Sequence, residues 1–350
     1  MSRARLNSGQ ASTKEIPGPS EVWTGRPIAR IVICLAILTP VAVHNEIGMA
    51  ASAADQKLWR ADHHMHLASA DLCRRVGECL ESNHPPAVYA ADAVRALDAA
   101  HVAKGVILSC AYLYGMRSLH LSSEEIARRV RLENEFTAAE MAKYPDRLVG
   151  FLSVDPLQAG AVDEMRDWSG KHVFVGLKLH FHASDVNVRS ASDREKVKGV
   201  LAEAAKEGLP IVIHLGGGDV NSSDAELFIK EVLPSAGNSW VQIAHAGGGL
   251  PQHDGNNLKV LQVFADHIVQ NDPRTKNVMF DVSYVPDPKA NSETGAAFAR
   301  EMRRIGIKRF LFGSDFNVLT PLEEISSLKK LGLSEQEWET LRDNCAPWAC

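Results

Sequence analysis

His64 and His66, in Ala61-Asp62-His63-His64-Met65-His66-Leu67, are the first residues of the chain whose type and spacing could do chemistry. Neutral imidazole is a good ligand for a divalent metal, and side chains two apart on a strand share a face. The lead-in Lys57-Leu58-Trp59 makes the stretch the end of a strand. His64 and His66 then project together, with Asp62 further back on that face and His63 on the opposite one. Other polar groups close later apolar runs in the same way. His180 follows Lys178 by two residues, His214 ends Ile211-Val212-Ile213, His245 ends Gln242-Ile243-Ala244, and Asp315 ends Leu311-Phe312-Gly313-Ser314. A single His at a strand end is most often a satisfied structural residue. Five of them with an aspartate point to a metal site of His and Asp ligands. That donor set suits zinc, with manganese, iron or cobalt as chemically compatible ions.

These residues need a scaffold that gathers strand ends. Strands are expected over 59–66, 105–110, 148–154, 173–180, 210–215, 240–245, 278–284 and 309–314, most of them continuous runs of Val, Ile, Leu and Phe. Such runs suit parallel strands buried on both faces. Helical periodicity falls between them, over 91–100, 123–143, 161–169, 193–207, 223–233, 257–270, 292–305, 321–331 and 334–344. Eight alternating units argue for a (β/α)8 TIM barrel of the α/β class, which places chemistry at the C-terminal ends of its strands. A doubly wound open sheet is the alternative, but the His-Met-His stretch stands where its glycine-rich phosphate turn belongs. The loops after the strands should form the substrate mouth. They carry Cys73, Cys79, His84, Tyr112, Tyr114, Arg117, His120 and His182.

The chain has 350 residues, 45% hydrophobic and 23% charged, with a formal net charge of −5. No basic excess implies nucleic acid as a partner; a small-molecule substrate is expected, with homo-oligomerisation open. Residues 1–54 read as a polar leader plus a signal peptide, and 55–350 as the barrel. Arg26 and Arg30 precede the apolar run 31–43, and Ala51-Ser52-Ala53 is a cleavage-like site. The run is shorter than the roughly 20 residues of a membrane span, so no stable membrane association is expected after cleavage. The reading is secretion or export to the periplasm, or a cytoplasmic protein if translation starts at Met49. Outside the leader, Cys73 could pair with Cys79 and Cys345 with Cys350, or the cysteines could stay unpaired; an odd total leaves at least one free thiol.

The chain resembles the amidohydrolase superfamily, in its amidohydrolase-2 branch of decarboxylases, hydratases and hydrolases. The resemblance spans about residues 58–344. It is carried by Asp62-x-His64-x-His66, Asn134, Tyr144-Pro145-Asp146-Arg147, Val154-Asp155-Pro156, Gly176-Leu177-Lys178-Leu179-His180, Leu209 to His214, Ala244-His245-Ala246-Gly247-Gly248 and Leu311 to Asp315. It implies that His64, His66, His214 and Asp315 bind one catalytic metal, and that His245 orients or activates the attacking water or joins a second metal. In some relatives the fourth-strand lysine is carbamylated and bridges two ions, a role that would fall on Lys178. The plainer reading has Lys178 packed or salt-bridged near Asp155 or Asp281, and one metal is favoured. The implied function is hydrolysis of a small amide, lactone or ester, with Asp315 as general base and acid and His245 at the water or oxyanion. His180, His182 and Arg117 would face a substrate with an anionic or ring portion, with Arg117 and Lys178 as candidate counter-charges. The alternatives are non-oxidative decarboxylation of an aromatic or unsaturated acid, which would make a loop arginine essential, and a non-catalytic binding barrel.

Overall fold

The computed structural model describes residues 57–79, 86–216, 220–247 and 254–350. The expected leader and signal peptide, His84 and most of the glycine stretch after residue 247 lie outside the described residues. Eight strands follow in chain order: β1 (Trp59–Met65), β2 (Val102–Leu108), β3 (Leu148–Ser153), β4 (Gly176–His180), β5 (Ile211–His214), β6 (Val241–Ile243), β7 (Val278–Asp281) and β8 (Phe310–Leu311). Each pairs with the next in parallel. The chain after β8 returns to β1: His63 N–H donates to Phe312 O and Asp315 N–H to His64 O, both at 2.8 Å. The result is a (β/α)8 barrel, as the alternation of elements predicts.

Helices α1 (Ala70–Cys79), α2 (Ala90–Ala99), α3 (Ser123–Met141), α4 (Ala161–Ser169), α5 (Ala191–Lys206), α6 (Ser222–Leu227), α7 (Asp254–Val269), α8 (Ser292–Ile305), α9 (Pro321–Leu328) and α10 (Glu335–Asp343) connect or follow the strands. Their starts carry the chemistry that such starts need: the side chains of Ser122, Ser190, Asn291, Thr320 and Ser334 accept backbone N–H groups of the first turn. Helix α1 stands where a plain loop is expected. Leu72, Cys73 and Val76 bury one face of it, and Ser69 Oγ accepts the Leu72 N–H (3.2 Å). Its short apolar stripe is interrupted by Arg74, Arg75 and Gly77, so periodicity alone does not reveal it. No helix among the described residues is long and apolar enough to cross a membrane.

Two local departures shape what the barrel holds. The register between β1 and β2 slips between Asp62 and Met65, a bulge that breaks the strict alternation expected for this strand. At the other end of the barrel, the last six residues fold back into its base. Ala349 packs among Ala61, Val106, Leu108, Phe151 and Val212, while Trp348 meets Phe151 edge-on at 6.1 Å. Ala346 N–H donates to His63 Nε2 (3.1 Å), and His63 Nδ1–H to Phe312 O (3.0 Å). A disulfide between Cys345 and Cys350, Cα atoms 6.1 Å apart, closes this segment into a ring. The other pairing considered from sequence does not form, because Cys73 is a buried free thiol.

The ring should therefore contribute measurably to stability. Cys345→Ser, or reduction of the wild type with dithiothreitol, should lower the free energy of unfolding by about 2 kcal/mol, the chain-entropy expectation for so short a loop. Differential scanning calorimetry reads this directly, and an unchanged melting temperature after reduction would mean that packing alone holds the segment.

Candidate active site

Three ligand-type atoms converge at the C-terminal face of the barrel. His64 Nε2 and His66 Nε2 are 3.2 Å apart, and Asp315 Oδ1 lies 3.5 Å from the first and 3.3 Å from the second. Each imidazole is held by its other nitrogen. His64 Nδ1–H donates to Asp281 Oδ2 (3.1 Å), and His66 Nδ1–H to Leu108 O (2.8 Å). Both Nε2 atoms thus keep their lone pairs, and their approach is a convergence of ligands rather than a hydrogen bond. Burial pushes the His64 ring down to about 3, so it is neutral as a ligand must be. Burial alone would raise the Asp315 carboxyl. The His66, His245 and His64 imidazoles around it hold it instead well below the usual carboxylate range. Two imidazoles and a carboxylate within reach of one point fit a divalent metal.

The backbone is bent to deliver these groups. Asp315 has φ 61° and His245 φ 54°, both in the left-handed region that non-glycine residues rarely occupy. Gly313 lets the chain after β8 lie against β1, since a Cβ there would come within 2.9 Å of His64 Cβ.

A second cluster, His64, His245 and Asp281, lies behind the first. The Ser283 hydroxyl fills it, 3.2 Å from His64 Nδ1 and 2.9 Å from His245 Nδ1, while donating to Asp281 Oδ1. Asp281 also accepts Gln242 Nε2–H (2.7 Å) and the backbone N–H of His245 (3.0 Å) and Ser283 (3.2 Å). Burial opposes its charge, yet these donors and His64 keep its carboxyl far below the usual range. This is a hydrogen-bonded knot rather than a second ion site. His245 Nδ1–H donates to Ser283 O (3.0 Å), which leaves the His245 Nε2 lone pair for the site.

The other residues singled out from sequence are placed unequally. His214 stacks on His180, ring centroids 3.8 Å apart and 11° between planes, and lies edge-on to His245 at 4.9 Å. His214 Nε2–H donates to Gly216 O (3.0 Å), so Nδ1 is its free nitrogen. It adjoins the three converging atoms without joining their group. His180 accepts the Ala183 N–H at Nδ1 (3.2 Å), which places its own proton on Nε2; its other face meets Tyr112, centroids 4.6 Å apart. Lys178 makes none of the ion pairs considered for it. It is wholly buried, its Nζ has no hydrogen-bond partner, and Asp155 bonds Leu157 N–H and Gln158 instead. His182 is half-buried in the turn after β4. Arg117 is 78% exposed and paired with Asp185 at 3.0 Å, turned to solvent. Asp62 does not share the ligand face: its Oδ1 accepts the backbone N–H of His64 and Ser314, both at 3.0 Å, because the bulge breaks the alternation on which that expectation rests. His63 reaches the C-terminal segment.

Asp281 takes a larger part in the site than its place in the sequence suggests, and Ser283, Gln242 and Cys110, whose Sγ lies 3.4 Å from His66 Nδ1, join it as well. Asp281 carries the signal used for the histidines, a polar group ending the apolar run Val278-Met279-Phe280. Cys110 likewise closes the expected strand 105–110, whereas nothing in the sequence marks Ser283.

The family model described as Amidohydrolase matches residues 61–343. No curated protein matches the sequence. Among solved structures, 5-carboxyvanillate decarboxylase from Sphingomonas paucimobilis is similar at 14% identity and TM-score 0.60, over 82% of this chain and 97% of that one. A probable 2-pyrone-4,6-dicarboxylic acid hydrolase from Acinetobacter baumannii is similar at 15% identity and TM-score 0.54, over 81% and 96%. A dihydroxybenzoic acid decarboxylase from Polaromonas sp. JS666, solved with bound manganese, is similar at 16% identity and TM-score 0.52, over 82% and 95%. At these identities the likeness is one of fold.

Two substitutions test the geometry apart from any reaction. Asp281→Asn removes the charge that orients His64 and should weaken manganese or zinc binding by about 10–100-fold, the usual cost of losing such a partner. Gly313→Ala should displace His64 and also lower bound metal. Competition with a chromogenic chelator measures both, and wild-type affinity in either variant would contradict the assigned support.

Proposed function

The chain belongs to the Amidohydrolase family, and from that premise we propose that it is a metal-dependent hydrolase of a small amide, lactone or ester. The observation that carries this reading is the convergence of His64 Nε2, His66 Nε2 and Asp315 Oδ1 within 3.2–3.5 Å. His64, His66 and Asp315 would hold one divalent ion, with His214 offering Nδ1 from the end of β5. The donor set accepts zinc, as expected from sequence, and equally manganese. When bound, such an ion polarises a carbonyl and makes water a nucleophile near neutral pH.

The chain's own groups divide the remaining work. Asp315 is ionised in the working range, so it takes a proton from the attacking water and returns it to the leaving group. His245 offers a lone pair at Nε2, so it accepts from that water and aims it, rather than donating to an oxyanion. The stacked rings of Tyr112, His180 and His214 wall the site on one side and exclude bulk water. Export to an oxidising compartment is supported by the Cys345–Cys350 disulfide and is checked by cell fractionation.

Decarboxylation of an aromatic or unsaturated acid is the second reading. Two of the three similar structures described above are decarboxylases, and a buried cation, Lys178, stands on β4 beside the strand that ends in His214. A panel of lactones, esters, amides and aromatic acids, assayed with zinc and with manganese, separates the two. Acid release without carbon dioxide is expected, and carbon dioxide release would replace the first reading with the second. Asp315→Asn should reduce turnover by about a thousandfold, the scale of general acid–base catalysis. Full turnover in that variant, or no stoichiometric metal in the purified protein, would remove the enzymatic reading.

A further inference from the structure

β4 sends two residues toward the site that no metal needs. Lys178 and His180 are two apart and share a face of the strand. Both are buried, at 0% and 5% exposure. Lys178 Nζ brings three donors and has no hydrogen-bond partner. The Asp281 oxygens already accept from His64, Gln242, Ser283 and backbone N–H, and Asp315 Oδ1 points into the convergence with His64 and His66, so neither meets Nζ. His180 has its lone pair occupied by the Ala183 N–H, so its Nε2 is a donor and cannot ligate. Its ring is fixed between Tyr112 and His214. A buried ammonium with unmet donors is costly unless an anion meets it.

We propose that Lys178 and His180 form a carboxylate subsite beside the metal ligands, so that the substrate carries a carboxylate held by Lys178 Nζ and His180 Nε2–H rather than by the loop arginine. The proposal rests on the reading of this face as a small-molecule active site and specifies which substrates enter it. Two donors from one strand face match the two oxygens of a carboxylate. One positive charge matches one negative charge, whereas a doubly charged phosphate would stand uncompensated near Asp281 and Asp315. Arg117, the alternative cation, is tied to Asp185 at the surface. Burial lowers the Lys178 amine to about 8, and the carboxylates of Asp281 and Asp315 support its charge, so it is cationic at neutral pH.

Benzoate is the probe. Its binding to the full-length chain is measured by isothermal titration calorimetry, as purified and after chelator treatment, so that contact with an ion is separated from contact with the two donors. Chelator-treated wild type should bind benzoate. Lys178→Met should weaken binding at least tenfold, and His180→Phe, which keeps a stacking ring but loses the donor, by several-fold, both with unchanged melting temperature. In the metal-loaded enzyme, both variants should raise KM for carboxylated substrates more than they lower kcat. Equal benzoate affinity in wild type and the folded variants would overturn the proposal, as would a lysine carbamate signal in 13C NMR after addition of 13C-bicarbonate. Should Lys178→Met fail to fold, unchanged affinity in His180→Phe alone overturns it. The hydrolase reading fails separately: no turnover of lactones, esters or amides, with Lys178-dependent benzoate binding intact, removes that reading and keeps this subsite.

Discussion

The carboxylate of Asp281 is the constraint on which the site depends. It is buried and ionised, and that combination is tolerated only because every neighbour donates to it. The donors come from three strand ends: His64 from β1, Gln242 and the His245 N–H from β6, and Ser283 just past β7. One charge thereby sets the tautomer of His64, the backbone turn at His245 and the place of the Ser283 hydroxyl. The ligand face cannot shift at one strand without breaking bonds at the others. A buried charge of this kind adds more to geometric definition than to stability.

The two ends of the barrel meet on β1. His64 faces the ligand cluster, while its neighbour His63 accepts from Ala346 of the C-terminal ring. A bulge in β1 lets successive histidines serve these separate tasks, where regular pleating would send them to opposite faces. Burial pushes both rings down, to about 4 for His63 and about 3 for His64, so both are neutral. The base of the barrel and its chemical face therefore share one strand and one kind of side chain, and they differ in which nitrogen is left free.

One side of the site, Lys178 and His180 on β4, gives protons rather than lone pairs. Among five histidines at the strand ends, His64, His66 and His245 present bare Nε2 and His214 bare Nδ1, but His180 presents an N–H. Together with Lys178 this divides the site into a side that attracts a cation and a side that attracts an anion. A substrate with a carboxylate and a polarisable carbonyl would span the two.

Much of this was legible in the sequence. The strand ends carrying His180, His214 and the apolar runs before His64, His245 and Asp315 follow from burial on both faces of a parallel sheet, and the barrel follows from their repetition. The convergence of His64, His66 and Asp315 was readable because those residue types recur at the ends of such runs. What the sequence did not determine was which atom each residue offers. Asp62 keeps the right spacing yet turns onto backbone N–H groups, Arg117 lies in the right loop yet faces solvent, and Lys178 stands free of the acids considered for it. Periodicity reports only the face on which a side chain starts, whereas its hydrogen-bond partners come from residues up to 283 positions away, as between His63 and Ala346. Tautomer, charge and direction are properties of those partners, so only the closed barrel could decide them.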